Sequence, residues 1–516
     1  MSATSRLVGQ FGNMSKATDE AGLGHVHNLL DGDVANASTS AGPQNKLQHV
    51  ESAVLEHCAG TAAAVLPGTL ERRTTVSGTA VVDLGVSTGA PQQLASGVLY
   101  GIPDEASQIP DHFYTDIGFK YCRAGGAQLP GQGWSESEAA YETRFQSALS
   151  NYQTTRKYGG TFILLPHDIW GADGTQDSSF VYPGDDGDWS SYDQFLARLI
   201  SDLRANDMLD GLVIDIWNEP DLTGFWNRSQ AQYLDLWGRA STAFRAGLPS
   251  CTISGPSFAG SPSTTNSWWT AWTAFVASNG SAPGQYSWHM EGGGGDMQSS
   301  VAAYKSLLVG QGLATDRTVN INEYAVWGEE VAAGSAWWIA QLERVNAYGL
   351  RGNWLSAYAL HDLLASLVSK PGAGTSGYSY TQTGYYPTAQ WLVYRYYAQD
   401  MGQGSRRQTT PTDDLLGDVF AVVGEDHTVR ILIGARVASG TFNVEIRNLS
   451  AIGLATAGSL RVHAIGFTSS TDHYAELDAP ADLGYVSHSY SGDSLTLPVF
   501  QTDDNTAYAY EFNTTA

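Results

Sequence analysis

The chain has 516 residues, of which 42% are apolar, so it is long enough for a large domain with a sizeable core and an accessory domain. Charged residues make up only 15%, against roughly 25% in an average globular protein, and aromatic residues make up 11%. The 27 basic and 52 acidic residues give a net charge of −25, which argues against nucleic acid and anionic membrane surfaces as partners.

Residues 1–72 form an N-terminal extension whose fold the sequence does not define, because Ala-rich pieces alternate there with Gly and Asn turns and carry no motif. In residues 74–84, β-branched and small residues alternate, which predicts a strand. We expect residues 73–90 to join the sheet of the C-terminal domain, since a barrel with an accessory sheet often begins and ends in that sheet.

Residues 91–402 repeat one pattern, in which a short apolar run is followed by a loop and then by a stretch with helical spacing. The eight runs are SGVLYGI, IGFKYCRAGG, TFILLPHDIW, LVIDIWNEPD, CTISGPSFAG, YSWHMEGG, VNINEYAVW and LRGNWLSAYA. Residues 193–204 and 230–245 carry apolar side chains at i, i+3 and i+4, as amphipathic helices do. Eight strand-then-helix units predict a catalytic (β/α)₈ TIM barrel of the α/β class.

Residues 403–516 change to short runs in which apolar and polar residues alternate. Examples are VFAVVG, VRILIGAR, FNVEIRNL, SLRVHAIGF, SLTLPVF and AYAYEF, separated by Gly, Asp, Asn or Ser turns. This pattern predicts an accessory antiparallel β-sandwich.

Three cysteines, Cys58, Cys122 and Cys251, allow at most one disulfide bond and form no CxxC pair. Six N-x-S/T sequons occur, at Asn13, Asn36, Asn227, Asn279, Asn448 and Asn513. Together with the low content of charged residues, the sequons favour a secreted glycoprotein. The oligomeric state is left open by the sequence.

The ends of the barrel strands carry an unusual number of polar groups for a chain so poor in charge. The candidate residues are Arg123, His167, Trp170, Asn218, Glu219, His289, Glu291, Glu323 and Trp354. Because the strand ends of such a barrel surround the active site, we expect these side chains to converge on one mouth.

Glu219 and Glu323 end the fourth and seventh apolar runs and are 104 residues apart in the sequence, about the length of three β/α units. That spacing predicts two carboxyl groups facing each other across the mouth. Such a pair can act as an acid and a nucleophile on a glycosidic bond.

The motifs IWNEPDLTGFW and INEYAV resemble the strand-four acid/base motif and the strand-seven nucleophile motif of the retaining glycoside hydrolases of clan A. Within that clan, the WNEPDL wording and the barrel flanked by a β-sandwich look most like glycoside hydrolase family 39. The resemblance covers residues 74–516. It implies that Glu219 is the general acid/base, that Glu323 is the nucleophile, and that the substrate is a poly- or oligosaccharide. That chemistry requires no metal or organic cofactor.

The resemblance also implies roles for neighbours of the two glutamates. Asn218 would bind the 2-hydroxyl of the sugar, and Arg123 would keep Glu323 ionised. His289 matches a strand-six residue near the nucleophile, and Trp354 matches the tryptophan under the sugar. The segment HMEGGGGD, which contains Glu291, departs from the family pattern.

His167 and Trp170, at the end of the third run, complete the predicted substrate-binding set, and a buried core position is the alternative for His167 and for His289. Glu219 could instead serve a helix N-terminus, and Glu323 could form a structural ion pair with Arg123. At the level of function, the alternatives are a transglycosylase and a non-catalytic carbohydrate-binding protein on a barrel scaffold.

Overall fold

The computed structural model describes residues 75–291 and 296–514. The predicted extension over residues 1–72 and the four glycines 292–295 lie outside the described residues. Within the described residues, no helix combines the length and the apolar character needed to cross a bilayer.

Two strands, β1 (Thr75–Val76) and β2 (Thr79–Gly89), occupy the region where one strand is predicted. The chain breaks between them at Gly78, whose φ of +91° lies in the left-handed region that favours glycine. β2 joins a sheet that also contains the last strand of the chain, so the two ends of the described chain belong to one sheet.

A closed barrel of eight parallel strands follows, as predicted from the eight apolar runs. Its strands are β3 (Gly97–Leu99), β4 (Tyr121–Ala124), β5 (Thr161–Leu164), β6 (Leu212–Asp215), β7 (Thr252–Phe258), β8 (Gln285–Met290), β9 (Val319–Tyr324) and β10 (Tyr348–Arg351). They lie side by side in chain order, and β10 closes the ring against β3. The (β/α)₈ prediction is therefore confirmed.

Helices lie between and after the barrel strands. They are α1 (His112–Thr115), α2 (Glu138–Lys157), α3 (Pro166–Trp170), α4 (Ser190–Ala205), α5 (Gln230–Gly247), α6 (Ser267–Ser278), α7 (Met297–Gly310), α8 (Ala332–Val345) and α9 (Ala389–Gln399). Several begin at a residue whose side chain accepts a hydrogen bond from the first turn, including Ser137, Ser229, Asn266, Asp296 and Thr388. Such caps satisfy backbone N–H groups that have no partner inside the helix, so the sequence sets where these helices start.

The remaining strands are β11 (Val368–Ser369), β12 (Tyr386–Pro387), β13 (Ser405–Thr410), β14 (Gly417–Val423), β15 (Thr428–Ala435), β16 (Ser439–Arg447), β17 (Gly458–Phe467), β18 (Ala481–Tyr490), β19 (Ser494–Gln501) and β20 (Ala507–Asn513). β11 and β12 form a small hairpin-like pair after the last barrel strand. The other eight join β1 and β2 in one mostly antiparallel sheet. Apolar side chains of this sheet form a core that is separate from the core of the barrel. The accessory β domain is confirmed, with parallel pairing of β16 to β1 and β2 as an addition to the antiparallel expectation.

Helix α8 joins the barrel to this sheet. Its Trp337 donates through Nε1 to the carbonyl of Leu415 (3.0 Å), and the guanidinium of Arg436 lies 4.6 Å from the ring of Trp337. The backbone N–H of Ala333 also donates to the carbonyl of Asn505 (2.8 Å). The sheet therefore packs on the side of the barrel next to the seventh and eighth strands, which α8 connects.

Candidate active site

Arg123 stands on the second barrel strand, β4, and is fully buried. Its three guanidinium nitrogens each donate to a different side chain: Nε to Asp215 (2.8 Å), Nη1 to Glu323 (2.7 Å) and Nη2 to the Oδ1 of Asn218 (2.8 Å). Burial opposes its charge, but the carboxylates of Asp215 and Glu323 hold the pKa of Arg123 above its ordinary value. One cation thus ties together the ends of strands two, four and seven.

A polar network lies beneath the mouth around Asp215, the last residue of β6. Its Oδ2 accepts from the Nδ2 of Asn322 (2.7 Å), and its Oδ1 accepts from the Oγ of Ser257 (2.7 Å). The Oγ of Ser257 also lies 2.8 Å from that of Ser287. Because all four side chains are buried and hydrogen-bonded, the network holds the ends of β6, β7, β8 and β9 in fixed positions relative to one another.

His289, on the sixth strand, lies between the two glutamates. Its Nδ1 is 2.9 Å from an oxygen of Glu219, and its Nε2 is 3.8 Å from an oxygen of Glu323. Opposite nitrogens of one imidazole ring therefore face the two carboxyl groups, both of which are buried. The two glutamates that are distant in sequence are neighbours in space.

Glu219 lies four residues beyond β6, in the loop that follows the strand. Its φ is +41°, a left-handed conformation uncommon for a non-glycine residue, and its N–H donates to the carbonyl of Ser257 (3.0 Å). Because Pro220 follows it, the range of backbone conformations open to Glu219 is narrower still. Strained backbone of this kind, which costs about 1–3 kcal/mol, is concentrated at functional sites.

Asp221 holds this loop in place. Its two oxygens accept from the backbone N–H groups of Ala259 and Gly260, each at 2.9 Å. Burial raises the pKa of the Asp221 carboxyl to about 6, the two backbone donors oppose the shift, and the charge of Glu219 adds to it. Asp221 thus anchors the loop after the fourth strand, which also carries Glu219, to the residues that follow the fifth strand.

Glu291 directly follows the sixth strand and is partly exposed. One ligand atom each of Glu219, His289 and Glu291 lie within 4.8 Å of one another, a spacing at which the three could hold a divalent cation. Glu291 therefore belongs to the same mouth as the two predicted catalytic residues.

His167 and Trp170 both lie on the short helix α3, which follows the third strand. His167 is buried, with its Nε2 2.9 Å from Asp168, and its ring centroid is 5.8 Å from that of Trp217, next to Asn218 in sequence. Trp170 packs against Tyr192 and Phe195 of α4, at 5.5 and 5.4 Å between ring centroids. The structure thus places Trp170 in the helix layer rather than at the mouth.

Trp354 lies three residues beyond β10 and is half-buried. Its indole nitrogen and the carbonyl oxygens of Tyr324 and Ala325 all lie next to Gly352. The indole is therefore close to the end of the strand that carries Glu323.

Asp215, Asn322 and Asp221 are not among the residues predicted from the sequence. The first two could have been found, because each is a polar residue inside an apolar strand run, LVID and VNINEY, where a polar side chain needs a buried partner. For Asp221 the sequence carries no comparable signal, since its partners are backbone groups of the next strand's loop.

The assembled site can supply two kinds of chemistry at once. Glu323, paired with the fixed charge of Arg123, is suited to remain an anion, whereas Glu219 contacts an imidazole and no cationic side chain in the described residues. A pair of carboxyl groups in unlike surroundings is the arrangement that separates a proton donor from a nucleophile.

By sequence, the chain matches no protein-family profile and no curated protein. By fold, it is similar to N2152 from Neocallimastix frontalis, with a TM-score of 0.65 at 19% identity over 85% of this chain and 100% of that one. It is similar also to a GH39 enzyme from Xanthomonas axonopodis pv. citri (TM-score 0.54, 12% identity, 87% and 99%). A GH39 β-xylosidase from Caulobacter crescentus gives a TM-score of 0.53 at 16% identity, over 84% and 99%. The chain thus shares the barrel-and-sheet fold of these GH39 glycoside hydrolases.

Proposed function

We propose that this protein is a secreted retaining glycoside hydrolase that cleaves a poly- or oligosaccharide with Glu219 as acid/base and Glu323 as nucleophile. The observation that carries the proposal is the placement of the two buried carboxyl groups on opposite nitrogens of His289, at the mouth of the barrel. The fold shared with GH39 enzymes supports the same reaction.

In the first step, a Glu323 oxygen attacks the anomeric carbon while Glu219 gives its proton to the departing glycosidic oxygen. The bond from the anomeric carbon to that oxygen breaks, and a covalent glycosyl-enzyme forms. Arg123 keeps the attacking carboxylate ionised and oriented, because its Nη1 donates to Glu323 while Asp215 and Asn218 hold the rest of the guanidinium.

In the second step, Glu219 accepts a proton from a water molecule that attacks the same carbon and displaces Glu323. Two inversions give net retention. The Nδ2 group of Asn218 can donate to a sugar hydroxyl, since its Oδ1 is already bonded to Arg123.

The proposal is tested by incubating the protein with 4-nitrophenyl glycosides and with a panel of plant and microbial polysaccharides, and by sizing the products. We expect release of sugar, and an initial product of retained anomeric configuration by NMR. An initial product of inverted configuration contradicts the mechanism.

The same assay separates the alternatives. Products longer than the substrate indicate a transglycosylase, in which an acceptor sugar replaces water in the second step. Binding of a polysaccharide without release from any substrate indicates a carbohydrate-binding protein on a barrel scaffold.

A further inference from the structure

Two tyrosines form an exposed aromatic pair on the long loop that follows the last barrel strand. Tyr358 and Tyr380 stack with ring centroids 4.2 Å apart and an interplanar angle of 12°. Their side chains remain 39% and 44% exposed, so a wide aromatic surface faces solvent. Most other large aromatic side chains of the barrel are buried, which sets this pair apart.

The pair is held in place by the loops of the first and second strands. The carbonyl of Tyr380 accepts from the Nε2 of Gln108 (2.6 Å) and from the Nζ of Lys370 (3.0 Å). Beside Tyr358, the N–H of Ala357 donates to the Oε1 of Gln128 (2.7 Å). Because both ring-bearing segments are bonded to neighbouring loops, the surface is preformed and loses little entropy when a ligand packs on it.

The hydrogen bonds to Gln108 and Gln128, which follow β3 and β4, indicate on which side of the barrel the pair lies. In the closed barrel, β10 and β3 lie opposite β6 and β7, and Glu219 is tied to the ends of β6 and β7. An acid must stand beside the oxygen that leaves, so the leaving portion of a substrate lies on the side of Glu219. The tyrosine pair therefore lies on the opposite side, where the portion bonded to Glu323 extends.

We propose that Tyr358 and Tyr380 form a platform that stacks against an uncharged pyranose ring of the substrate, beyond the sugar bonded to Glu323. The face of a pyranose presents C–H groups, which pack well against an aromatic face. The proposal rests on the proposed function and deepens it: the enzyme binds at least two sugars on that side of the cut bond, so its preferred substrate is an oligo- or polysaccharide rather than a single terminal sugar.

The test compares two pairs of probes, 4-nitrophenyl β-xyloside with 4-nitrophenyl β-xylotrioside, and the matching β-glucoside with the β-cellotrioside. In each trioside all three sugars lie on the proposed platform's side of the cut bond. We expect Tyr380→Ala to lower kcat/KM for a trioside about tenfold more than for its monoside, the loss typical of one aromatic contact. Tyr380→Phe keeps the ring and should retain the wild-type ratio.

Tyr485→Ala is the matched control, because Tyr485 is also exposed (55%) and stacked, on His463, but belongs to the accessory sheet. It should leave both rates unchanged. Equal losses on monoside and trioside in Tyr380→Ala, or no loss on either, overturn the platform while the enzyme remains a glycosidase. If the polysaccharide panel shows that another sugar is cleaved, the 4-nitrophenyl monoside and trioside of that sugar replace these probes. A wild-type protein that releases sugar from no probe and from no polysaccharide of the panel overturns the proposed function, and the platform with it.

Discussion

Glu219 and Glu323 are the same residue type in different electrostatic surroundings. Glu323 bonds to Arg123, whose charge favours the anion, whereas Glu219 bonds to His289 and stands near Asp221 and Glu291. An anion suits attack on carbon. The pairing with Arg123 therefore supports the proposed role of Glu323 as nucleophile, which leaves Glu219 as the proposed acid/base.

Glu219→Ala should retain the first step for substrates that need no acid. With dinitrophenyl glycosides we expect Glu323 still to be glycosylated and the second step to stall, whereas poorer leaving groups should lose about 100- to 10,000-fold in rate. Added azide should attack the intermediate and give a glycosyl azide of retained configuration, identified by NMR.

Glu323→Gly should fail on both kinds of substrate, because the proposed nucleophile and its charge are both lost. Azide can then act only in place of the carboxylate, so its product should have inverted configuration. Equal losses in the two variants, without an azide product from either, contradict the assignment.

At the scale of elements, the segment before α8 carries a buried acid that pairs with the end of the last barrel strand. Glu330 is fully buried, with its Oε2 3.3 Å from the Nη2 of Arg351, at the end of the last barrel strand. Burial raises the pKa of the Glu330 carboxyl to about 8, and the charge of Arg351 opposes the shift only in part.

This acid should make stability fall with rising pH. Between the ordinary value of 4.5 and about 8, Glu330 is protonated in the folded state and ionised in the unfolded state, so unfolding releases a proton. The free energy of unfolding should therefore drop by about 1 kcal/mol per pH unit across that window. Glu330→Gln should show a flatter dependence by urea denaturation at pH 5 to 8. The exposed Glu425→Gln serves as control, and a slope unchanged in Glu330→Gln refutes the prediction.

At the scale of the whole molecule, the barrel and the accessory sheet pack so closely at Gly434 that there is no room for a side chain. A Cβ added there would lie 2.5 Å from the carbonyl oxygen of Ala333 and closer still to the backbone nitrogen of Trp337. Backbone atoms of a helix cannot yield as a side chain can, so α8 must move away from β15.

Gly434→Ala should therefore destabilise the protein by about 1–3 kcal/mol, measured by urea denaturation. Gly310→Ala is the matched control, because a Cβ at Gly310 meets no atom within 4 Å at the end of α7. There alanine should be neutral or slightly stabilising, since it favours helix more than glycine does. Equal effects of the two changes would show that the close approach at Gly434 has no energetic weight.

The sequence by itself determined the barrel, because eight apolar runs of strand length alternate with helical stretches and can bury their apolar faces in few other ways. It also predicted that Glu219 and Glu323 end the fourth and seventh apolar runs and face each other across the mouth. It did not single out β18, an edge strand whose side chains are largely exposed, so that no buried apolar face distinguishes it. It also predicted one strand where the structure has two, β1 and β2, because the break at Gly78 depends on the φ of a single residue.

Only the tertiary structure decided which polar groups touch. Arg123, Asp215 and Asn322 come from three strands far apart in sequence, and their hydrogen bonds exist because barrel closure aligns those strands at one level. Packing also decided the position of Trp170. A residue that follows a strand can face either the mouth or the helix layer, and the contacts of Trp170 with α4 place it in the helix layer. Sequence records which residues end a strand, whereas the direction of each side chain is set by packing against distant segments.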